Sequence, residues 1–472
     1  MILSPPRAFL LLLVLTGCSL GPDYTRPQAD SPQAYRESVP NAPVWPQPEW
    51  WKGFHSADLD ALIADAETGN FDIQAAVARV RQADAQVQVA GAPLLPSLSG
   101  NAQDDWQRNR ANARNYDSRF AQAKLSVSYE IDLWGRLRAT RDNAVASALF
   151  SRYDQQTVAL TAVTSVATTW FTALAYTDRL AVARRNLNDS EQILTAITAR
   201  RDAGTATELD VAQQGALVAG IRAQIPALRS NAQVQLNALG VLVGRNPEQI
   251  TAQPGTLNTL DLPEVAPGLP SELLLRRPDV AAAEANLVAA NANIRVARAN
   301  FYPQITLTGS GGLENIGVAN LFGPGSLVAA ATAAITQSIF DNGLKGAQYD
   351  QAAARYDELV ADYRKAVVQA FTDVEDALTQ YRYATEQEAL YQNAVAIAQR
   401  ASDIARAQVL AGTSDIVTAL QAQTTLFNDL DQLAQVRLSR FNALVSLYKA
   451  LGGGWTTSDT QNPQPGLFQG VL

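Results

Sequence analysis

Two hydrophobic periods follow one another in this chain. From Leu125 every second residue is apolar: Val127, Tyr129, Ile131 and Leu133 stand between Ser126, Ser128, Glu130 and Asp132. A period of two predicts a β-strand with one apolar and one polar face. Gly135 ends the alternation, and the chain then runs to Arg201 with no further Gly and no Pro. Along that run Val166, Ala173, Leu180, Leu187 and Leu194 recur at sevens, with Val163, Trp170 and Thr177 between them. This is coiled-coil spacing. At about 1.5 Å per residue it predicts a helix of about 100 Å.

The flanking sequence extends this pair into a unit. Residues 56–92 read as helix, with Ser56 as N-cap and a break at Gly69-Asn70. After Pro93 and Pro96, Leu98, Gly100 and Ala102 alternate with Ser97, Ser99, Asn101 and Gln103, while residues 104–118 are polar and read as a loop. Beyond the long helix, Ala203-Gly204-Thr205 predicts a C-cap turn and a returning helix over roughly 207–240. Residues 241–271 are rich in Pro and read as a linker.

Then the chain repeats itself. Phe71-Asp72-Ile73 is answered by Pro278-Asp279-Val280 and Pro96 by Pro303, both 207 residues on. Leu133-Trp134-Gly135 is answered by Asp341-Asn342-Gly343 and Ala203-Gly204-Thr205 by Ala411-Gly412-Thr413, both 208 on. A near-constant offset marks a duplicated helix–strand–strand–helix–helix unit. In the second copy Ile305, Leu307, Gly309 and Gly311 alternate with Gln304, Thr306, Thr308 and Ser310, and Ala329, Ala331, Ala333 and Ile335 with Thr332, Ala334 and Thr336. A closing helix carries Leu420, Phe427, Ala434, Phe441 and Tyr448 at sevens. The expected organisation is a signal peptide (1–17), an extended arm (18–55) and a first repeat (56–240). That repeat has strands near 94–104 and 119–133 and a long helix near 136–202. A linker (241–271), a second repeat (272–454, strands near 303–313 and 327–341, long helix near 344–411) and a tail (455–472) complete it.

The N-terminus and composition add a compartment. Arg7, a short apolar stretch and small residues before Cys18 predict a secretory signal, its apolar core too short to span a bilayer. Leu15-Thr16-Gly17-Cys18 resembles the lipobox of bacterial lipoproteins, whose Cys is diacylated; an ordinary signal with a chance Cys is the alternative. Ser19 rather than Asp after that Cys implies sorting to the outer membrane. Beyond the signal there is no uninterrupted apolar run of 18 residues, so a membrane crossing must use strands closed into a barrel. A net charge of −8 without a basic tract argues against nucleic acid. One His, His55, leaves little scope for metal or triad chemistry, and no phosphate loop is present. The expectation is no enzyme, no catalytic or metal residue, and no cofactor beyond a covalent lipid on Cys18.

Four strands cannot enclose a barrel with an interior, and two long hairpins leave apolar seams exposed. Three chains in a ring would supply twelve strands and six hairpins, with Ser, Thr and Gln facing a water-filled lumen. On pattern alone, a soluble half-buried sheet or a scaffold coiled coil stays open.

The stretch from Gly268-Leu269-Pro270 to Leu275-Arg276-Arg277-Pro278-Asp279-Val280 resembles a signature of the TolC-type outer membrane factors of tripartite efflux systems. Ile131-Asp132-Leu133-Trp134-Gly135-Arg136, Cys18-Ser19-Leu20-Gly21-Pro22-Asp23-Tyr24 and Leu447-Tyr448-Lys449-Ala450-Leu451-Gly452-Gly453-Gly454-Trp455 resemble its lipoprotein, NodT-type branch. The resemblance implies an α+β membrane protein: a trimeric 12-stranded outer-membrane β-barrel continued by a long periplasmic α-helical coiled-coil barrel. It implies a passive exit duct for drugs or toxic compounds. The partners implied are a periplasmic adaptor (membrane fusion) protein, an inner-membrane transporter of the RND type and outer-membrane lipid. A type I secretion duct and a non-conducting envelope lipoprotein are the alternatives.

The same resemblance makes Ala203, Gly204, Thr205, Ala411, Gly412 and Thr413 the periplasmic tips that meet the adaptor; both glycines would be helix C-caps in any case. Just after the second tip the branch carries an aliphatic residue, an Asp four later and an Arg three later. Here these positions are Val417, Gln421 and Thr424, so a charged lock is not carried over. The gate expected instead rests on Val417 and Gln421, with Asp415, Asp210 and Glu208 either ringing the axis or serving only as first-turn carboxylates.

Overall fold

The computed structural model describes residues 21, 23–28, 30, 32, 34–36, 44–111, 114–250, 252, 255–265 and 270–456, with side chains except at 109–111, 114–116 and 271. The expected signal stretch 1–17, the expected lipidation site Cys18, parts of the arm and linker, and the tail after Thr456 lie outside the described residues. In chain order the elements are α1 (Ala57–Gly69), α2 (Phe71–Gly91), β1 (Ser97–Ala111), β2 (Arg114–Ile131), α3 (Arg136–Asp202) and α4 (Glu208–Val243). Then come α5 (Pro270–Leu273), α6 (Pro278–Ala299), β3 (Gln304–Asn315), β4 (Leu327–Thr336), α7 (Leu344–Ala411) and α8 (Ile416–Ala450). The chain forms two compact units, one holding residues up to Gln28, 79–152 and 282–364, the other 29–78, 153–281 and 365 onward.

The first unit carries an antiparallel sheet in the order β1-β2-β3-β4. Its register lays the sequence alternation across all four strands. Leu98, Val127, Gly309 and Ala331 stand abreast, as do Gly100, Leu125, Gly311 and Ala329. Alternating with these rows, on the opposite face, lie Ser97, Ser128, Thr308 and Thr332, then Ser99, Ser126, Ser310 and Ala330. Residues 104–118, expected as a loop, instead continue the strands to Ala111 and from Arg114. The backbone ladder needs no apolar face, and where both faces meet water polar side chains cost nothing. At the other end β2 stops at Ile131 and β4 at Thr336, short of the expected 133 and 341. Asp132 turns away to accept from the Leu137 and Arg138 amides (3.0 and 2.9 Å), capping α3. Gln337 likewise donates to the Phe301 carbonyl, at 3.0 Å. Along α6 the arm is tied down by Tyr24 (3.3 Å) and Arg26 (2.7 Å), both donating to Glu284.

The second unit is built on the long-helix seams. Val163, Val166, Trp170 and Phe171 of α3 are buried with Phe441, Leu444 and Tyr448 of α8, and α1 adds Leu59 and Ile63. Trp50 stacks on Tyr448 at 4.7 Å, and Phe54 meets Phe171 edge-on at 4.9 Å. Leu257 is buried in the same core, so this part of the linker is packed. One stretch of α3 is long and apolar enough to cross a membrane, yet more than half of it is buried. Packing against the core explains its apolar character.

Toward the tip the buried face of α3 changes. Leu180, Leu187 and Leu194 are only half-buried, while Ala183, Ser190, Ile193 and Ile197 are buried. A straight helix drifts about 20° per heptad against a seven-residue repeat. The seam therefore rotates as α3 leaves the main core for a second one made with Ala405, Val409, Ile416 and Ala419.

Polar ties cross these helices. Arg179 forks onto Asp431 at 2.7 and 3.0 Å. Buried Arg277 reaches Asp279 (2.6 Å) and Asp373 (2.8 Å), joining the start of the second repeat to α7. Buried Glu388 of α7 accepts from Arg437 (2.8 Å) and Arg440 (3.0 Å) of α8. Burial alone would raise the Glu388 carboxyl, but the two guanidiniums outweigh it and hold it below its ordinary value. Such a group adds stability that is complete above its unfolded pKa and is lost as pH falls through the lower folded one. We expect the melting temperature to drop on acidification below about pH 4.3, and Glu388→Gln to flatten that drop. At neutral pH the variant should cost about 2–3 kcal/mol, less than a fully buried pair because the guanidiniums stay 20% and 24% exposed. Thermal melts across pH check both.

Candidate functional site

Each long helix ends in Ala-Gly-Thr, and both ends fold identically. Gly204 has φ +77° and Gly412 φ +76°, the left-handed region a Cβ disfavours. The Thr205 amide reaches the Arg200 carbonyl (2.8 Å) and the Gly204 amide the Arg201 carbonyl (2.8 Å). In the second tip Thr413 reaches Gln408 (2.9 Å) and Gly412 reaches Val409 (3.1 Å). Both are Schellman turns, satisfying carbonyls that a helix end leaves open. All six tip residues are exposed.

The carboxylates beside the tips have local partners. Asp210 forms a capping box with Thr207, accepting from its amide at 2.7 Å while its own amide donates to the hydroxyl at 3.2 Å. Asp415 caps α8 through the Val417 amide at 3.4 Å. Glu208 accepts from Arg201 at 3.1 Å. Val417, Gln421 and Thr424 share one exposed face of α8, spaced i, i+4 and i+7, while Ile416, Ala419 and Gln423 are buried behind them.

Arg200 was not singled out by the sequence; its one signal is a basic residue in the last turn of a helix. Its guanidinium spans both tips, donating to the Val409 carbonyl (2.6 Å) and the Thr205 carbonyl (3.4 Å). A Cβ on Gly412 would lie 3.2 Å from it, whereas a Cβ on Gly204 would meet nothing within 4 Å.

The sheet supplies a second functional surface. Its apolar rows are open: Leu98, Leu125, Leu327 and Ile335 are all exposed. From Ala121 to Ile131 the apolar set rises roughly 33 Å along β2, about 25 Å of bilayer normal at a tilt of about 40°. The opposite face is hydrophilic, with Gln122 donating to Gln103 (3.0 Å) and Lys124 paired with Glu314.

A two-faced sheet of bilayer height, joined to duplicated long hairpins, defines an outer-membrane channel protein. The chain belongs to the outer membrane efflux protein family, whose sequence model matches residues 62–245 and again 269–453, once per repeat. It is 38% identical to the pyoverdine export outer membrane protein OpmQ of Pseudomonas putida, over 95% of this chain and 98% of that one. Identity to OpmQ of Pseudomonas aeruginosa is 40%, over 88% of each. The cation efflux system protein CusC of Escherichia coli is 30% identical over 95% of this chain and 98% of its own. Among solved structures, the outer-membrane channel OprN superposes with a TM-score of 0.86 at 26% identity, covering 93% of this chain and all of that one. CusC gives 0.84 at 29%, with the same coverage. The protein is thus an exit duct of an efflux system, resident in the outer membrane.

The two glycines are not equivalent. Gly204→Ala carries only the backbone strain of about 1–2 kcal/mol, while Gly412→Ala also crowds Arg200. Hydrogen exchange at the tip amides should speed up in both variants, and more in Gly412→Ala.

Proposed function

We propose that three copies of this chain close into one duct, with the adaptor seated on the tips and the helical end gated by Val417 and Gln421. The observation that carries this is a seam on α7. Tyr383, Leu390, Ile397 and Ile404 fall at sevens and are 53–62% exposed. An apolar heptad stripe of that length is stable when another helix covers it. The sheet has the same need, since β1 and β4 are edge strands and unpaired backbone in hydrocarbon is costly. Pairing β4 of one copy with β1 of the next satisfies both edges. A non-conducting envelope coiled coil would leave the two-faced sheet without a role. A type I secretion duct keeps this geometry and differs only in its pump.

The lipid belongs on Cys18. Gly21, three residues on, lies against Arg295 near the end of α6, where a Cβ would come 2.5 Å from Cγ. That position leads directly into β3, within reach of the inner leaflet. The pump is of the RND type, reached through a periplasmic adaptor at Ala203-Gly204-Thr205 and Ala411-Gly412-Thr413. In the gate, Asp415, Asp210 and Glu208 ring the entrance, Asp415 and Asp210 while retaining their capping roles and Glu208 its pair with Arg201. The cargo favoured is a small secreted chelator, because relatives at 38% and 40% identity are named for pyoverdine export. Relatives named for toluene and cation efflux are 32% and 30% identical.

Ile397→Glu, which buries a charge in the seam without touching the protomer core, should convert the detergent-extracted trimer to monomer; an unchanged mass by light scattering would remove the seam from the interface. Val417→Ala and Gln421→Ala should each raise single-channel conductance in planar bilayers. Unaltered conductance in both would take the gate away from these residues.

A further inference from the structure

The hydrophilic face of the sheet has an uneven charge pattern. Among the residues whose side chains are described, its carboxylates are Asp105, Glu130 and Glu314, and its cation is Lys124. Glu130 is neutralised by Arg136 from the start of α3, at 2.7 and 2.8 Å. Asp105 accepts from the Gln103 amide. Lys124 pairs with Glu314 on the neighbouring strand, the two side chains 25% and 34% exposed.

The pair is set by the register. Gly312 stands directly opposite Lys124, and Glu314 lies opposite Gln122, one diagonal step along. A Cβ on Gly312 would come 2.2 Å from the Ala123 carbonyl oxygen and 2.7 Å from the Lys124 Cα. The two strands are therefore pressed together with no side chain between ammonium and carboxylate. A diagonal neighbour is within reach of long side chains across a ladder.

We infer that Lys124, positioned by Glu314, is the residue that sets charge preference in the membrane part of the duct. This rests on the three-copy closure with the hydrophilic face inward. Three Lys124–Glu314 pairs then share one level of the lumen. Rings of charged side chains decide which ions enter a pore, and low-dielectric walls focus their field. With the lysines present that level is balanced, and small anionic or zwitterionic solutes pass it. Without them the three Glu314 carboxylates at that level stand unpaired, and the same level becomes a cation filter.

The test is the potassium-to-chloride permeability ratio of purified protein in planar bilayers under a salt gradient. Lys124→Gln should raise the ratio about twofold or more, and Glu314→Gln should lower it by a similar factor. The exchanged pair Lys124→Glu/Glu314→Lys, which keeps the balance and the contact, should return the wild-type ratio. It also distinguishes loss of charge balance from loss of packing. A wild type that carries no current overturns the duct and this inference with it. A conducting wild type whose two single variants keep its ratio overturns the assignment of Lys124 alone.

Discussion

Backbone hydrogen bonding in hydrocarbon is the constraint on which this molecule depends. A strand crossing a bilayer must have both sides paired, since an exposed amide or carbonyl there costs several kcal/mol. Among the described residues one chain supplies four strands in simple antiparallel order, leaving β1 and β4 as edges. No rearrangement within the chain removes them, because four strands are too few to close. Closure through further copies satisfies the edges. It also bears on the helical part, because β3 and β4 lead into α7, whose exposed stripe of Tyr383, Leu390, Ile397 and Ile404 needs a cover.

The duplication meets this need economically but not symmetrically. Main-chain chemistry is conserved between the halves: both tips are Schellman turns on Ala-Gly-Thr. Side chains differ. Arg200 spans both tips, whereas the position 208 residues on is Gln408. The first returning helix begins on a capping box, the second on a single Asp415 cap. Gly412 is crowded by Arg200 while Gly204 is free. The two hairpins thus present different surfaces from one backbone design.

Much of this could be read from the residues. The alternation at Leu125 to Ile131, the heptads around Trp170 and Phe441, and the offset repeats are local patterns that survive without coordinates. Three features were not accessible. The length of β1 beyond residue 104 is not legible because alternation fades where both faces meet water. The rotation of the α3 seam from Leu180 onward was missed because the buried face depends on which neighbours each stretch meets. Arg200, Lys124 and Arg277 acquire their roles from partners far along the chain, at Val409, Glu314 and Asp373. No spacing rule brings those together. The efflux family was recognisable from short signatures such as Arg276-Arg277-Pro278-Asp279. Their physical content, a buried guanidinium forked onto two carboxylates, appears only in three dimensions.

The central claim is that one chain is a third of a channel. Native mass spectrometry of the detergent-extracted protein tests it most directly, because it counts chains in the intact assembly. A dominant species of three chains is the result this account predicts. A stable single chain or dimer under conditions that preserve membrane assemblies would contradict it.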